Sequence, residues 1–341
     1  MACRPSGSTR WFLLPSDPVQ PETSPVPRGS TSHEHRASPP SSGFAYPHDV
    51  LPHGVTGRQL SLVGPVVATF LAFVTVVLVP GLALGVLLMA REGPSVLFDR
   101  PRLETQFGQA ALSFAGLSVV VLANAAVLSA IALVGAALST DGLAGRLGLG
   151  RSRVSWPVVL GLAVGILGLS QALDALTVLL GLSTHGVLPK LRQAMRNLGS
   201  SELAVLTAVM AVGPGFGEEF LFRGYIQRGF VQRLGPGPGV GIAAALFGAL
   251  HLDPVQGPMA AILGLYLGHV AWRTGSLWPA VICHGVNNAV ATLSGARAPE
   301  SLGGTLACGV QVVGGLAIAL AALLLLERRV GQGRTQLEAE R

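Results

Sequence analysis

From Leu62 onward the chain alternates long apolar runs with short polar connectors. A helix needs about 20 apolar residues to cross the hydrocarbon core of a bilayer. Four runs meet that length clearly: Leu62 to Ala90, Ala110 to Leu138, Trp156 to Leu182 and Gly304 to Leu326. Four more are shorter or interrupted: Glu202 to Gly224, Val240 to Leu252, Pro254 to Trp272 and Leu277 to Leu293. The pattern predicts an all-α fold, a polytopic membrane bundle of about eight transmembrane helices. Small-residue pairs at Gly81/Gly85, Gly161/Gly165 and Gly264/Gly268 read as helix-packing contacts.

The first sixty residues follow a different rule. They hold ten of the 23 prolines and four of the eight histidines and show no sustained apolar period, which predicts a disordered tail. Trp11 to Leu14 is too short for a signal-peptide core and runs into Pro15. His33 and His35 around Glu34 lack the second helical histidine of a zinc protease motif and read as tail residues. The organisation expected is therefore a Pro/Ser-rich cytoplasmic tail over 1–60, scaffold helices over 61–200, a core with the chemistry over 201–293, and a last span with a charged tail over 294–341.

Composition agrees with the pattern. Half of the 341 residues are hydrophobic and only 12% are charged, about half the charged fraction of a soluble globule. The net charge of +6 comes from 22 Arg and one Lys against 17 acidic residues. In so apolar a chain this excess points to topology control and not to nucleic acid. With the N-terminal tail on the cytoplasmic side of an inner or plasma membrane, that side collects 16 arginines, counting Arg223 among them, and the other side seven basic residues. Both termini are expected to be cytoplasmic. Cys3, Cys283 and Cys308 cannot build a disulfide framework and read as packing residues. Oligomeric state is left open.

An acid within hydrocarbon costs several kcal/mol unless it is paired, solvated or neutralised, on the order of the insertion penalties for charged residues. Here Glu218 and Glu219 stand side by side behind the apolar run Leu203 to Val212. On a helix Glu219 and Arg223 are four apart with the acid first, the favourable order for an ion pair. Glu218 lies about 100° further round and must find its partner on another helix. The next apolar segment is too short to span a bilayer and ends at His251, followed by Asp253 and Pro254. A third segment carries His284 and Asn288, four apart on one face.

Three segments thus bring polar groups to depths where lipid is hostile, and gathering them round one hydrated pocket is the least costly arrangement. The inventory suits hydrolysis: Glu218 as general base on a water, His251 positioning the water or binding metal, His284 and Asn288 donating to an oxyanion. Glu218, His251 and His284 would also serve as ligands for Zn2+, with a coordination position left open. Other residues have structural readings. His269 is expected to be a hydrogen-bonded packing residue, Gln171 and Asp174 a helix–helix polar contact, and the glycines at 235, 237, 239 and 241 a turn. Two non-hydrolytic readings compete: a membrane scaffold or immunity-type protein keeping the cluster for stability, and a transporter with a Glu218/His251 proton relay. No repeated half with interrupted helices supports the transporter.

The motifs EExxxR (Glu218, Glu219, Arg223), FxxxH (Phe247, His251) and HxxxN (His284, Asn288) stand in this order over about 70 residues, and they resemble those of the CAAX-protease and bacteriocin-processing, or Abi, family of intramembrane endopeptidases. The resemblance implies an eight-helix membrane peptidase acting on a membrane-tethered or lipid-modified protein or peptide. It assigns water activation to Glu218, assistance or metal ligation to His251 and oxyanion stabilisation to His284 and Asn288, with Glu219, Arg223 and Phe247 in support. The motifs of zinc, rhomboid and aspartyl intramembrane proteases are missing: there is no HExxH, GxSG or GxGD.

Overall fold

The structure is a computed structural model that describes residues 62–139, 142–297 and 304–339, with side chains to residue 332. The N-terminal tail, with Cys3, His33 and His35, lies outside the described residues. All eight apolar segments are helical, as backbone groups in lipid require, since a helix satisfies its own N–H and C=O groups. The chain is an integral membrane protein.

Helix α1 (Val63–Glu92) is followed by a 3-10 turn (Pro94–Phe98) and by α2 (Arg100–Ala111), whose start is capped by the Asp99 carboxylate on the Arg102 amide. The run expected over Ala110 to Leu138 is broken there. Ser113 accepts from the Gly116 N–H and starts a separate helix, α3 (Phe114–Ala137). A short α4 (Leu143–Leu147) precedes α5 (Trp156–Leu179) and the small α6 (Leu188–Arg196). Next, α7 (Ser200–Glu219) runs without interruption into a π-helical turn (Phe220–Ile226) and α8 (Gln227–Leu234), making one rod of 35 residues. Four helices complete the bundle: α9 (Pro236–Leu250), α10 (Gln256–Thr274), α11 (Trp278–Arg297) and α12 (Thr305–Ala339). The last helix continues well past Leu326, where a tail was expected.

Five of these rods are long and apolar enough to cross a membrane: α1, α3, α5, α7 through α8, and α12. Helix α9 is apolar but has only 15 residues, about 22 Å at 1.5 Å per residue. Its first turn corrects the turn expected at the glycine run. Only Gly235, with φ of 85°, is a turn residue. Pro236 opens the helix at a position that needs no N–H donor, and Gly239 lies against the Val231 backbone, where a Cβ would come within 2.5 Å.

Packing follows a chain of neighbours. Helix α3 lies between α1 and α7, α11 packs on α7 and α5, α5 runs along α12, and α9 pairs with α10. One apolar cluster joins α1, α3, the π turn and α9 through Ala72, Leu128, Leu221, Ile226 and Phe247. A second joins α5, α10, α11 and α12 through Leu162, Ile166, Leu267, Cys283 and Leu326. Lipid-facing surface is left on the outer rods, where Phe70 and Leu82 of α1 and Val313 of α12 are largely exposed. Buried Cys283 and Cys308 are packing residues, as expected.

The glycine pairs divide. A Cβ on Gly165 would meet the Tyr266 hydroxyl and Ala322, Gly268 is about as tight against Gln227, and Gly264 lies less closely against Phe247 and Arg223. Gly81 and Gly85 have no neighbour within 4 Å and are not packing contacts, because α3 meets α1 along a different face. Helices α5 and α12 also touch through glycines, where a Cβ on Gly315 would stand 2.2 Å from the Gly168 carbonyl. Beside it, Gln311 donates to the Gln171 amide oxygen at 3.0 Å, the helix–helix contact expected of Gln171. Asp174 pairs with Arg192 of α6 instead. Gly315→Ala should therefore lower stability by about 1–3 kcal/mol, an overpacking cost. Gly314→Ala, at a position open on all sides, should leave it unchanged, and thermal unfolding in detergent compares the two.

Candidate active site

The polar residues of α7 and α11 meet beside the Phe247 ring of α9, which also carries His251. What brings α7 close is its run of small residues. A Cβ on Gly217 would come within 2.6 Å of the Ala125 Cα on α3, and one on Gly215 within 3.4 Å of the Val281 carbonyl on α11. With both neighbours pressed against this stretch, the next two residues, Glu218 and Glu219, enter the space between helices.

Their fates differ. Glu219 is completely buried, and its Oε1 accepts from Arg223 Nη1 at 2.8 Å and from His284 Nδ1 at 2.8 Å. The pair predicted along one helix face is present, although the turn containing Arg223 is wound as π-helix. Arg223 itself is buried, donates from Nη2 to the Gly264 carbonyl at 3.2 Å and lies 4.3 Å above the Phe247 ring. It is buried inside the bundle, within the continuous rod and not in a connector between helices. Four residues on, Gln227 donates to the Gly268 carbonyl at 2.9 Å. Gly264 and Gly268 of α10 thus offer backbone acceptors to a matched pair of side chains on the long rod. Their lack of Cβ is what admits the Arg223 and Gln227 heads.

Glu218 points elsewhere. Its side chain keeps about a fifth of its surface accessible, and Oε2 stands 3.8 Å from His284 Nε2. His284 therefore faces Glu219 with one nitrogen and Glu218 with the other. A carboxylate only accepts, so His284 carries its proton on Nδ1 toward Glu219. The same logic fixes His251: Nδ1 meets the Phe247 carbonyl at 2.9 Å, the carbonyl accepts, and Nε2 is left with a free lone pair.

Phe247 is the hub. Its ring makes edge contacts with His251 at 5.1 Å, His284 at 6.1 Å and Phe222 at 5.2 Å between centroids, in addition to carrying Arg223 on its face. Both imidazoles are thus set around one rigid ring. Asn288 joins the group less directly: its Nδ2 donates to the Met210 carbonyl of α7 at 3.2 Å, which uses one of its two N–H bonds and leaves the second. Next to it Asn287 is buried with Oδ1 unpartnered.

Zinc was a sequence-based expectation for Glu218, His251 and His284. The donor chemistry suits it, since both imidazoles have Nδ1 tied and Nε2 turned away from that bond, the usual orientation of metal-binding histidines. As placed, however, no three His, Cys, Asp or Glu side chains among the described residues stand close enough to hold an ion. The site does not fit a complete zinc ligand set, and it does present a carboxylate beside an imidazole.

Behind His251 the chain turns sharply. Among the described residues Leu252 is the one non-glycine with positive φ, at 50°. Asp253 follows, with Oδ1 accepting from the Val255 and Gln256 amides at 2.9 and 2.7 Å and Oδ2 from the Val187 amide at 2.8 Å. Partial burial pushes the Asp253 carboxyl up, but the three amide donors and the nearby His251 outweigh it and hold the group below its ordinary range. Neither Asp253 nor Gln227 was singled out from sequence for the site. Gln227 had a signal in its position four residues after Arg223. His269, outside the site, bonds to Glu327 of α12 at 2.9 Å, the packing role expected of it.

Removing one member of the buried ion pair leaves the other uncompensated. Arg223→Met or Glu219→Gln should each destabilise the protein by about 3–5 kcal/mol, and the double variant by less than the two together. Thermal unfolding of the four proteins in detergent measures this.

Residues 200–290 match the family described as type II CAAX prenyl endopeptidase Rce1-like. No curated protein and no solved structure matches the chain at a significant level.

Proposed function

We infer the following chemistry for a chain whose residues 200–290 match the family described as type II CAAX prenyl endopeptidase Rce1-like: hydrolysis of a peptide bond in a membrane-tethered or lipid-modified protein or peptide, by a water that Glu218 activates. The observation that carries this reading is the split between the two acids. Glu219 is neutralised by Arg223 and His284, whereas Glu218 is partly accessible and stands 3.8 Å from His284.

In this mechanism the Glu218 carboxylate removes a proton from water as the water oxygen attacks the scissile carbonyl carbon. The His251 Nε2 lone pair accepts the second water hydrogen and aims the oxygen. A tetrahedral oxyanion forms. His284, with a second proton on Nε2 and its Nδ1–H held by Glu219, and the remaining N–H of Asn288 donate to that oxygen. Glu218 then passes its proton to the leaving nitrogen as the C–N bond breaks, which restores the carboxylate. Arg223, Gln227 and Phe247 do no chemistry; they hold Glu219 and the imidazoles in register.

The arginine distribution supports cytoplasmic termini. Arg146, Arg153, Arg228 and Arg273 lie at the end of the bundle where α4, the start of α5, α8 and the end of α10 meet, and Arg228 donates there to the Gly145 and Gly275 carbonyls. Basic residues of this kind favour the cytoplasmic face.

Purified protein in liposomes should cleave a membrane-tethered peptide. Glu218→Gln and His251→Ala should each lower turnover by about 10²–10⁴-fold, the usual weight of general acid–base catalysis, with unfolding temperature preserved. Metal analysis and chelator treatment of the active protein decide whether an ion assists. Unchanged turnover in both variants would remove these residues from the mechanism. Loss of folding with no cleavage by the parent protein would favour a scaffold.

A further inference from the structure

We propose that Asp253 is a positioning residue that locks the strained turn behind His251 and thereby holds the His251 imidazole at the site, an inference that rests on the catalytic reading of His251. Helix α9 ends at Leu250, with His251 as its cap, and the chain must then reverse to start α10 at Gln256. The reversal passes through Leu252 in the left-handed region, where a Cβ-bearing, γ-branched side chain meets steric opposition. Leu252 is largely exposed, so packing on its own side chain does not hold it there.

What holds the turn is its next residue. One oxygen of Asp253 closes the local turn on the Val255 and Gln256 amides, and the other reaches across to Val187, in the loop before α6. The loop is built to receive it. Gly186 has φ of 76°, and a Cβ there would stand 2.6 and 2.7 Å from the two Asp253 oxygens. A glycine, a backbone amide and a carboxylate from segments 66 residues apart therefore form one joint. It ties the tip of α9 to the connection between α5 and α6, helices anchored in the other half of the bundle. His251 has only the Phe247 carbonyl and ring as direct contacts on its own helix. If the turn relaxed, the imidazole would leave its place against the Phe247 ring, the ring that His284 also touches.

The test uses the full-length protein in liposomes. Asp253→Asn keeps an acceptor for the local amides, but its NH2 group cannot accept from Val187. It should lower kcat roughly 100-fold, the scale of a misplacement near 1 Å, with KM unchanged. Gly186→Ala, on the other side of the joint, should do the same, and the two together should do no more than either alone. Adding Leu252→Gly to Asp253→Asn should recover roughly tenfold in kcat, because glycine adopts the left-handed turn without a clamp. Two measurements need no turnover: amide exchange at Val187, and the rate at which diethyl pyrocarbonate modifies His251, read by mass spectrometry. Both should rise in Asp253→Asn. Unchanged kcat in the single variants, no recovery with Leu252→Gly, or exchange and modification equal to the parent would overturn the proposal. Glu218→Gln measured alongside separates the two readings: full activity there sinks the catalytic assignment, while the exchange and modification results judge the clamp by themselves.

Discussion

A carboxylate without access to water, in the middle of a membrane bundle, dictates much of the architecture around it. Glu219 is tolerable only because Arg223 and His284 both donate to it, and Arg223 in turn is tolerable only because it has Gly264 and the Phe247 face for its remaining surface. Each demand recruits another helix: α11 supplies the imidazole, α10 the carbonyl, α9 the ring. A buried ion pair is weak evidence for stability, since desolvation opposes the attraction. Here it acts as a register device, because the four helices can satisfy these groups together in few arrangements.

That device also separates the two neighbouring acids. With Glu219 consumed in the lock, Glu218 is turned by the helix to another side, where it retains access and meets the second nitrogen of His284. His284 thus connects the buried acid to the accessible one. The short α9 contributes through its length. It stops within the bundle, so that its cap residue His251 sets an imidazole against Phe247 and its turn can be tied by Asp253 to the α5–α6 connection. The outer rods α1 and α12 face lipid with apolar side chains and carry none of this chemistry.

Much of this was legible in the residue pattern. The eight apolar segments, the Glu219–Arg223 spacing and the separate placement of His251 and His284 all appear in the structure, because each follows from local periodicity or from the cost of a charge in hydrocarbon. Other features were not legible. The break at Leu112–Ser113 splits one apolar run into two helices, since a cap by Ser113 competes with continuation. The π turn leaves no mark in composition. Gly81 and Gly85 have the spacing of a packing motif, yet whether a neighbour lies against a glycine face depends on the rotation of α1.

Alone, the sequence determined that the protein lies in the membrane, that Glu218, Glu219, His251 and His284 fall on apolar segments, and which side chains cannot be left facing lipid. Those are consequences of transfer free energy and helix geometry, both properties of short stretches of chain. The tertiary structure decided which acid is locked and which is available, which way His284 turns its nitrogens, that Asn288 spends one donor on Met210, and that Asp253 reaches Val187. Each of these depends on contacts between residues tens of positions apart, and helix rotation and depth, which no local pattern encodes, determine whether such contacts form.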